Sequence, residues 1–199
     1  MGRLRIYATK PRIWKYQLLS TCTDVTGSPV RRQPLLLAGP GRIDIGEGVQ
    51  FGWETSEGFH TGYCHVEAST PGASVEIGDR AELNNNVFIK SEGPGIAIGD
   101  HALLGSRIVI YDSDFHELDP HCRRGGAPAM GRVELGENVF IGDRVMILKG
   151  VTIGAHSVVG AGSVVTSSIP SGVIAVGNPA RVVRELTDAD VSEGLARTV

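Results

Sequence analysis

Apolar residues recur at every sixth position through most of the chain. These anchors form three runs: Ile77, Leu83, Ile89; Ile98, Leu104, Ile110; and Leu135, Ile141, Ile147, Ile153, Val159, Val165. Four residues after each anchor, wherever the period is uninterrupted, stands a small or β-branched residue: Ala81, Val87, Ala102, Ile108, Val139, Val145, Val151, Ser157, Ser163. Inward positions are therefore spaced alternately four and two residues apart.

This alternation shows which regular structure the chain can form. A helix places apolar residues three and four apart and a plain strand places them two apart, so neither fits. Short strands joined by corners do fit, because the pair two apart shares one strand face and the step of four crosses a corner where Gly or Asn can adopt positive φ. Three such strands make a triangular coil of about 18 residues, and stacked coils form parallel sheets about 4.8 Å apart. The sequence predicts a parallel β-helix, because an antiparallel sandwich would show variable strand spacings of about 8–12 residues.

Several segments depart from the six-residue period. Residues 1–38 lack it, so we expect an N-terminal segment that caps the first coil and covers its open edge. The register begins at Ile45 and Phe51 and breaks over residues 53–74, which predicts an irregular coil. The interval from Ile110 to Leu135 is 25 residues instead of six, which predicts a protruding loop over residues 111–132. The β-helix domain is expected over 39–186, followed by a C-terminal helix or tail over 187–199 that begins with a capping-box sequence.

Composition narrows the classes of function. The chain has 199 residues, of which 27 are Gly, with 41% hydrophobic and 6% aromatic residues, which excludes collagen, a coiled coil and a disordered chain. The net charge of −3 argues against a strongly basic nucleic-acid-binding protein. Cys22, Cys64 and Cys122 form no Cys-x-x-Cys pair, so we expect a protein of the reducing cytoplasm. The sequence has neither a secretory leader pattern nor an apolar run of 18 residues, so no membrane span is expected.

The hexads, the histidine-bearing loop and the C-terminal sequence together resemble the hexapeptide-repeat acyltransferases. The C-terminal part of the match runs from Gly162 to Thr166 and from Gly177 to Arg184. Within that group the chain looks like the galactoside and maltose acetyltransferases and the O-acetyltransferases of surface-polysaccharide pathways, over about residues 43–186. The resemblance implies a left-handed β-helix and a homotrimer with an active site at each subunit interface. It also implies transfer of an acetyl group from acetyl-CoA to a hydroxyl or amine of a sugar-containing acceptor, without a metal.

The resemblance also implies roles for individual residues. His116 stands where the family has its catalytic histidine, and Asn84 and Glu92 match acceptor contacts, although the family has a shorter Asp in place of Glu92. We add Asp114, from the same loop as the histidine, to the substrate-binding candidates. The acetyl-CoA candidates are Gly142 and Ala161 for the pantetheine arm, and Thr166, Arg181 and Arg184 for the nucleotide end. The family often has Lys where this chain has Ser167, which removes one cationic contact to phosphate.

An imidazole with an ordinary pKa near 6.5 is suited to take a proton from a hydroxyl group near neutral pH. No cysteine or serine lies beside His116 in an activating sequence context. The sequence therefore favours direct transfer within a ternary complex, with His116 as general base and no acyl-enzyme.

Each candidate residue also has an ordinary structural interpretation. A histidine in a polar loop is most often a solvated surface residue, although such a long excursion from a compact repeat is usually functional. Asn84, Asn85 and Asn86 could be corner residues in left-handed conformations. Arg181 and Arg184 could be solvated charges on a helical turn. Asp112 and Asp114 either orient the loop histidine or only solvate the loop.

Two other functions are compatible with this architecture. A zinc hydratase like the gamma-class carbonic anhydrases would need three neutral imidazoles, drawn from His116, His121, His60, His65, His101 and His156. That family places its histidine pair within regular coils, whereas here Pro120 and an acidic loop surround the pair. A non-catalytic β-helix scaffold is the second alternative, because fold does not determine function. The complete C-terminal motif and the placed histidine argue against it.

Overall fold

The computed structural model describes residues 2–187 and 189–190, with side chains from residue 9 onward. Helix α1 (Gly2–Leu19) precedes twenty short strands in three sheets. Sheet A contains, in spatial order, β1 (Asp24–Thr26), β4 (Arg42–Ile45), β7 (Ser74–Ile77), β10 (Ile96–Ile98), β13 (Val133–Leu135) and β16 (Thr152–Ile153). Sheet B contains β2 (Val30–Arg31), β5 (Gln50–Phe51), β8 (Glu82–Leu83), β11 (Leu103–Leu104), β14 (Phe140–Ile141), β17 (Val158–Val159), β19 (Val173–Gly177) and β20 (Ala180–Glu185). Sheet C contains β3 (Leu35–Ala38), β6 (Cys64–Ala68), β9 (Phe88–Ser91), β12 (Val109–Tyr111), β15 (Met146–Ile147) and β18 (Val164–Val165).

Successive coils stack strand on strand in parallel. In sheet B, Leu83 pairs with Leu104, which pairs with Ile141, which pairs with Val159, so the anchors of the period lie directly above one another. Strand β20 runs antiparallel to β19 and ends that sheet. Three parallel sheets wound coil after coil are typical of a left-handed β-helix, and the predicted fold class is confirmed.

The interior of the coils holds the residues that the period placed there. The anchors and the positions four residues after them are all buried. The two polar members of this set, Ser157 and Ser163, are also fully buried, and their hydroxyls donate to the carbonyls of Pro170 (2.7 Å) and Gly160 (2.6 Å). The alternation of four and two residues is thus confirmed position by position.

The corners differ in one respect from the prediction. Positive φ was expected at Gly and Asn, and Asn86 and Asn138 fit, but Arg80, His101, Arg107, Arg144 and His156 also have φ between 55° and 60°. The glycines directly after the anchors serve a different purpose, which is close stacking. A Cβ on Gly142 would lie 2.6 Å from the backbone nitrogen of Ala161 in the next coil.

The β-helix begins earlier than predicted. Strands β1, β2 and β3 pair in parallel with β4, β5 and β6, as in Val25 with Ile43, so residues 24–38 form the first coil. The predicted boundary between residues 38 and 39 is therefore wrong. Before this coil, α1 lies against β3, and Ser20 Oγ accepts a hydrogen bond of 3.1 Å from the backbone N–H of Leu37.

Two excursions leave the coils. The first spans residues 52–63 between β5 and β6, so regular structure resumes at Cys64, well before the end of the predicted break at residue 74. The second spans residues 112–132 between β12 and β13, one residue shorter than predicted. We call them the first and second excursions.

The C-terminal segment is a strand hairpin. Arg181 and Arg184 lie on β20, so the helical turn considered for them is wrong. Thr187 and Asp190 bond reciprocally, with the Thr187 N–H donating to Asp190 Oδ2 (2.8 Å) and the Asp190 N–H to the Thr187 carbonyl (2.9 Å). The rest of the predicted helix or tail, residue 188 and residues 191–199, lies outside the described residues.

Candidate active site

His116 lies in the second excursion with an exposed side chain. Its Nδ1 is 3.2 Å from the carbonyl oxygen of Arg123. A carbonyl oxygen only accepts hydrogen bonds, so Nδ1 carries the proton of the neutral ring and Nε2 has the free lone pair. The contact therefore selects the tautomer in which Nε2 can accept a proton.

The start of the second excursion is held by Asp112, whose side chain is completely buried. Its carboxylate accepts hydrogen bonds from Ser91 Oγ (2.7 Å) and from the backbone N–H groups of Glu92 (2.8 Å), Gly93 (3.2 Å) and Gly95 (3.0 Å). Of the two roles considered for Asp112, neither fits. The residue joins the excursion to the turn that carries Glu92.

Two predicted substrate-binding residues lie at the same edge as the histidine, where sheet C passes to sheet A. Glu92 Oε2 accepts a hydrogen bond of 3.0 Å from Ser113 Oγ. Asp114 Oδ1 forms an ion pair of 2.7 Å with Lys149 Nζ, and both side chains are less than one-third exposed. The sequence reasoning missed Ser113 and Lys149, because neither stands in a recognisable motif.

Asn84 lies at the opposite edge of sheet C, where sheet B passes to sheet C. The four residues of β9 separate the two edges, which is about 13 Å at a rise of about 3.3 Å per residue. Asn84 Nδ2 donates to Ser56 Oγ (3.0 Å), and its Oδ1 accepts from the backbone N–H of Asn85 (2.7 Å). One N–H and one lone pair of the amide remain for a ligand. Within one chain, Asn84 is thus separated from His116.

Gly142 and Ala161 share the sheet B to sheet C edge with Asn84. They follow β14 and β17, so they stand at the same corner of successive coils, and Gly142 is covered by Ala161. Thr166 directly follows β18 and is exposed at the other edge, the one that carries His116. The candidate residues therefore divide between the two edges of sheet C.

Arg181 and Arg184 are both exposed on β20, but they differ in their partners. Arg184 donates two hydrogen bonds to the carboxylate of Asp190, at 2.7 and 2.9 Å, and this guanidinium holds the pKa of Asp190 well below its usual range. Among the described residues, Arg181 donates only to the neighbouring Ala180 carbonyl (2.8 Å). Arg181 therefore has more donors left for a phosphate.

Cys64, one of the three cysteines, is not placed to act as a nucleophile. Cys64 is fully buried, and burial raises the pKa of its thiol to about 12. The thiol lies 3.4 Å from Gln33 Oε1 and 3.3 Å from the Asn84 carbonyl, and donates to these oxygens. Cys64 is thus a protonated core residue at neutral pH.

In the part of the chain that the structure describes, no three His, Cys, Asp or Glu side chains come together as a group that could hold a metal ion. None of the helices in that part has the length and apolar character needed to cross a membrane. A groove of about 960 Å³ follows the outer face of sheet A and contains none of the candidate residues.

Comparison with known proteins gives concordant matches. Residues 132–167 match the family described as bacterial transferase hexapeptide (six repeats). A galactoside O-acetyltransferase of Lactococcus lactis is 37% identical over 123 residues, which cover 62% of this chain and 58%, under two thirds, of that protein. A putative acetyltransferase of Staphylococcus aureus is 39% identical over 142 residues, which cover 69% of this chain and 70% of that one.

A solved structure gives the same picture. The hexapeptide-repeat acetyltransferase from Vibrio cholerae, in complex with acetyl coenzyme A, is similar with a TM-score of 0.54 and 26% identity. The superposition covers 94% of this chain and 85% of that chain.

Proposed function

Because this chain belongs to the hexapeptide-repeat acetyltransferases, we propose that it transfers an acetyl group from acetyl-CoA to a hydroxyl group of a sugar-containing acceptor in surface-glycan biosynthesis. The observation that carries the proposal is His116, held by the Arg123 carbonyl in the tautomer of a general base. The acetyl coenzyme A in the Vibrio cholerae structure and the galactoside acceptor named for the Lactococcus relative support the choice of donor and acceptor. Transfer of the acetyl group to an amine of the acceptor is the second possibility, because it can use the same general base. The three unpaired cysteines agree with a cytoplasmic reaction.

The proposed chemistry uses one side chain for both proton transfers. The acceptor oxygen attacks the thioester carbonyl while its proton passes to His116 Nε2, and a backbone N–H at the coil edge stabilises the resulting oxyanion. The tetrahedral intermediate collapses, the carbon–sulfur bond breaks, and the imidazolium returns the proton to the sulfur of CoA. In this route no residue becomes acylated, and Cys64, which is buried and protonated, is not available as a nucleophile.

The donor is proposed to lie along the edge between sheets B and C. Gly142 and Ala161 present little side chain there, so an extended pantetheine arm can approach the backbone as a strand approaches a sheet edge. Arg181 and Arg184 are assigned to the nucleotide end, where guanidinium groups bind phosphate through paired, charge-assisted hydrogen bonds. Thr166, at the other edge of sheet C, is assigned to the nucleotide end of a donor bound at the neighbouring subunit.

The division of the candidates between two edges supports a homotrimer. In a three-fold ring with sheet C facing the axis, the Asn84 edge of one copy meets the His116 edge of the next, so each interface completes one site. The outer face of sheet C suits such an interface because it carries a continuous row of contacting rings, tilted or edge to face with centroids 5.0–6.2 Å apart, formed by Tyr63, His65, Phe88, Tyr111 and Phe115. Burial lowers the pKa of His65, so this ring is neutral within the row.

Subunit complementation tests the shared site. His116→Ala and Asn84→Ala proteins are each expected to lose most activity, whereas a refolded equimolar mixture should recover about a quarter of the wild-type rate, because a quarter of random neighbour pairs combine both intact residues. Light scattering should give three times 21.1 kDa. A monomeric mass, or no recovery in the mixture, would contradict the shared site.

Two measurements separate the alternatives. Calorimetry should show binding of CoA, which a scaffold would lack. Metal analysis of the purified protein should find no stoichiometric zinc, and near-stoichiometric zinc would instead support a hydratase.

A further inference from the structure

A cavity of about 380 Å³ lies on the outer face of sheet B, beside Asn84. Its apolar surface comes from Trp53 and Leu103, which are 47% and 45% exposed. Its polar groups include the side chains of Gln50 and Glu82 as well as the Asn84 amide. A concave apolar surface with a few convergent polar groups is typical of a small-molecule site.

The first excursion holds the backbone of Trp53 beside this cavity. The backbone N–H of Trp53 donates to Asn85 Oδ1 (2.9 Å), and Asn85 Nδ2 donates to the Trp53 carbonyl (2.9 Å) and to two more carbonyls of the same turn (3.0 and 3.2 Å). Asn85 is completely buried. Glu57, in the same turn, bonds Arg107 (2.7 Å) and Arg144 (3.1 Å), which lie two and three coils further along. Because Asn85 and the two arginines already fix this turn, it loses little conformational entropy when a ligand binds.

The chemistry of the lining points to a sugar ring. The C–H face of a pyranose can pack on the indole, whose π face carries partial negative charge. The free N–H and lone pair of Asn84 and the amide N–H groups of Gln50, whose oxygen already accepts from Arg32 (2.8 Å), can pair with ring hydroxyls. The Glu82 carboxylate also accepts from hydroxyls and disfavours an anionic ring.

We infer that this cavity is a second acceptor subsite, which binds a neutral sugar ring next to the ring that is acetylated. Asn84 would then contact both rings, because it lines the cavity and stands at the edge assigned to the active site. This inference rests on the proposed function. It predicts that the protein acts on an oligosaccharide or glycan chain in preference to a free monosaccharide.

A microarray of neutral and acidic oligosaccharides, followed by fluorescence titration, tests the subsite. The chain has two tryptophans, Trp14 and Trp53, so Trp14→Phe leaves Trp53 as the sole indole. This variant should bind neutral oligosaccharides with a change in indole emission. Trp53→Ala should lose about tenfold in affinity, as expected for loss of an aromatic platform, and Trp53→Phe should keep most of it. Trp14→Ala, which removes an exposed indole on α1, is the matched control and should bind as the parent does.

The subsite is refuted if no oligosaccharide binds, if only acidic ones do, or if Trp53→Ala binds them as tightly as the parent. CoA binding, measured by calorimetry, distinguishes failure of the subsite from failure of the proposed function. Retained CoA binding and acetyl transfer in that case would leave the proposed function standing and remove only the subsite. Loss of both in the parent protein would remove the proposed function itself.

Discussion

The coils over residues 133–165 and the second excursion differ in burial and in strand pairing. In the coils, residues such as Ile141 pair with strands on both sides and are fully buried. In the excursion most side chains from residue 116 to 130 are exposed, and its strand-like pairing is a single antiparallel bridge between Ser113 and Met130. Yet the candidate base is in the excursion. The coil interior is filled and its outer faces are flat, so a side chain that must reach into a ligand site comes from a loop on a rigid frame.

The joint between the two regions explains how an exposed loop can still be placed accurately. Asp112 binds the excursion to the turn after β9, Ser113 bonds Glu92, and Asp114 pairs with Lys149 on the next coil. These contacts lie within the first three residues of the excursion. We therefore expect substitutions in the excursion to lower catalytic activity and substitutions in the coils to lower stability. Substitutions at the joint, which we define as Asp112, Ser113 and Asp114, should lower both.

Replacement of His116 by Ala should give the largest effect. Loss of a general base typically lowers kcat by about 10²–10⁴-fold, because the acceptor hydroxyl is a poor nucleophile without proton removal. CoA affinity, measured by calorimetry, should remain, since none of the residues assigned to the donor lies in the second excursion.

His121→Ala is the matched control in the same excursion, and it should retain most activity. Its side chain is exposed, while its backbone N–H donates to Asp119 Oδ1 (2.9 Å). A His116→Ala enzyme within about threefold of the parent rate would contradict the assignment of the base.

A substitution within the coils should lower stability much more than a substitution in the excursion does. Ile147 is fully buried between Ile110 and Val165, so Ile147→Ala should lower the free energy of unfolding by about 2–5 kcal/mol through lost burial and a residual cavity. Leu118, 73% exposed in the excursion, should change it by about 0.5 kcal/mol or less when replaced by Ala. Urea unfolding measures both. Equal losses would mean that the excursion shares the packing of the coils.

The sequence predicted the coils well because each inward position is set by local spacing that repeats many times. The first coil escaped prediction because no six-residue run of anchors and glycines marks residues 24–38. Helix α1 has no such period either, and it contains Pro11. Asp112 could be identified as a loop residue, but its burial depends on a turn about 20 residues earlier in the chain, which spacing cannot reveal. The same holds for Trp53 and Asn84, whose proximity arises from the stacking of one coil on another.

Asp112→Asn should weaken the joint with an intermediate effect. The amide replaces an acceptor-only carboxylate that faces one hydroxyl and three N–H donors, so its NH₂ group meets donors and leaves polar groups unsatisfied, at a cost of about 1–3 kcal/mol in the free energy of unfolding. The KM for the acceptor should rise as Glu92 loses its position.

Glu92→Gln is the comparison for that experiment. It changes the acceptor contact directly, but its backbone bond to Asp112 remains, so the unfolding free energy should change little. If Asp112→Asn lowered stability without raising the KM for the acceptor, Asp112 would stabilise the fold but would not position Glu92 for the acceptor.

The two arginines of β20 should give the smallest effects and the finest distinction. Arg181→Ala should raise the KM for acetyl-CoA by about threefold to tenfold with kcat nearly unchanged, because a phosphate contact is made equally in the ground state and the transition state. Arg184→Ala should have the smaller effect, since its guanidinium is already paired with Asp190, and that pair must open before it can bind phosphate. Asp190→Asn frees Arg184 and should therefore lower the same KM. All three changes should shrink in 1 M salt, which screens exposed charges. Equal KM values for parent and Arg181→Ala would place the nucleotide end of the donor elsewhere on the coils.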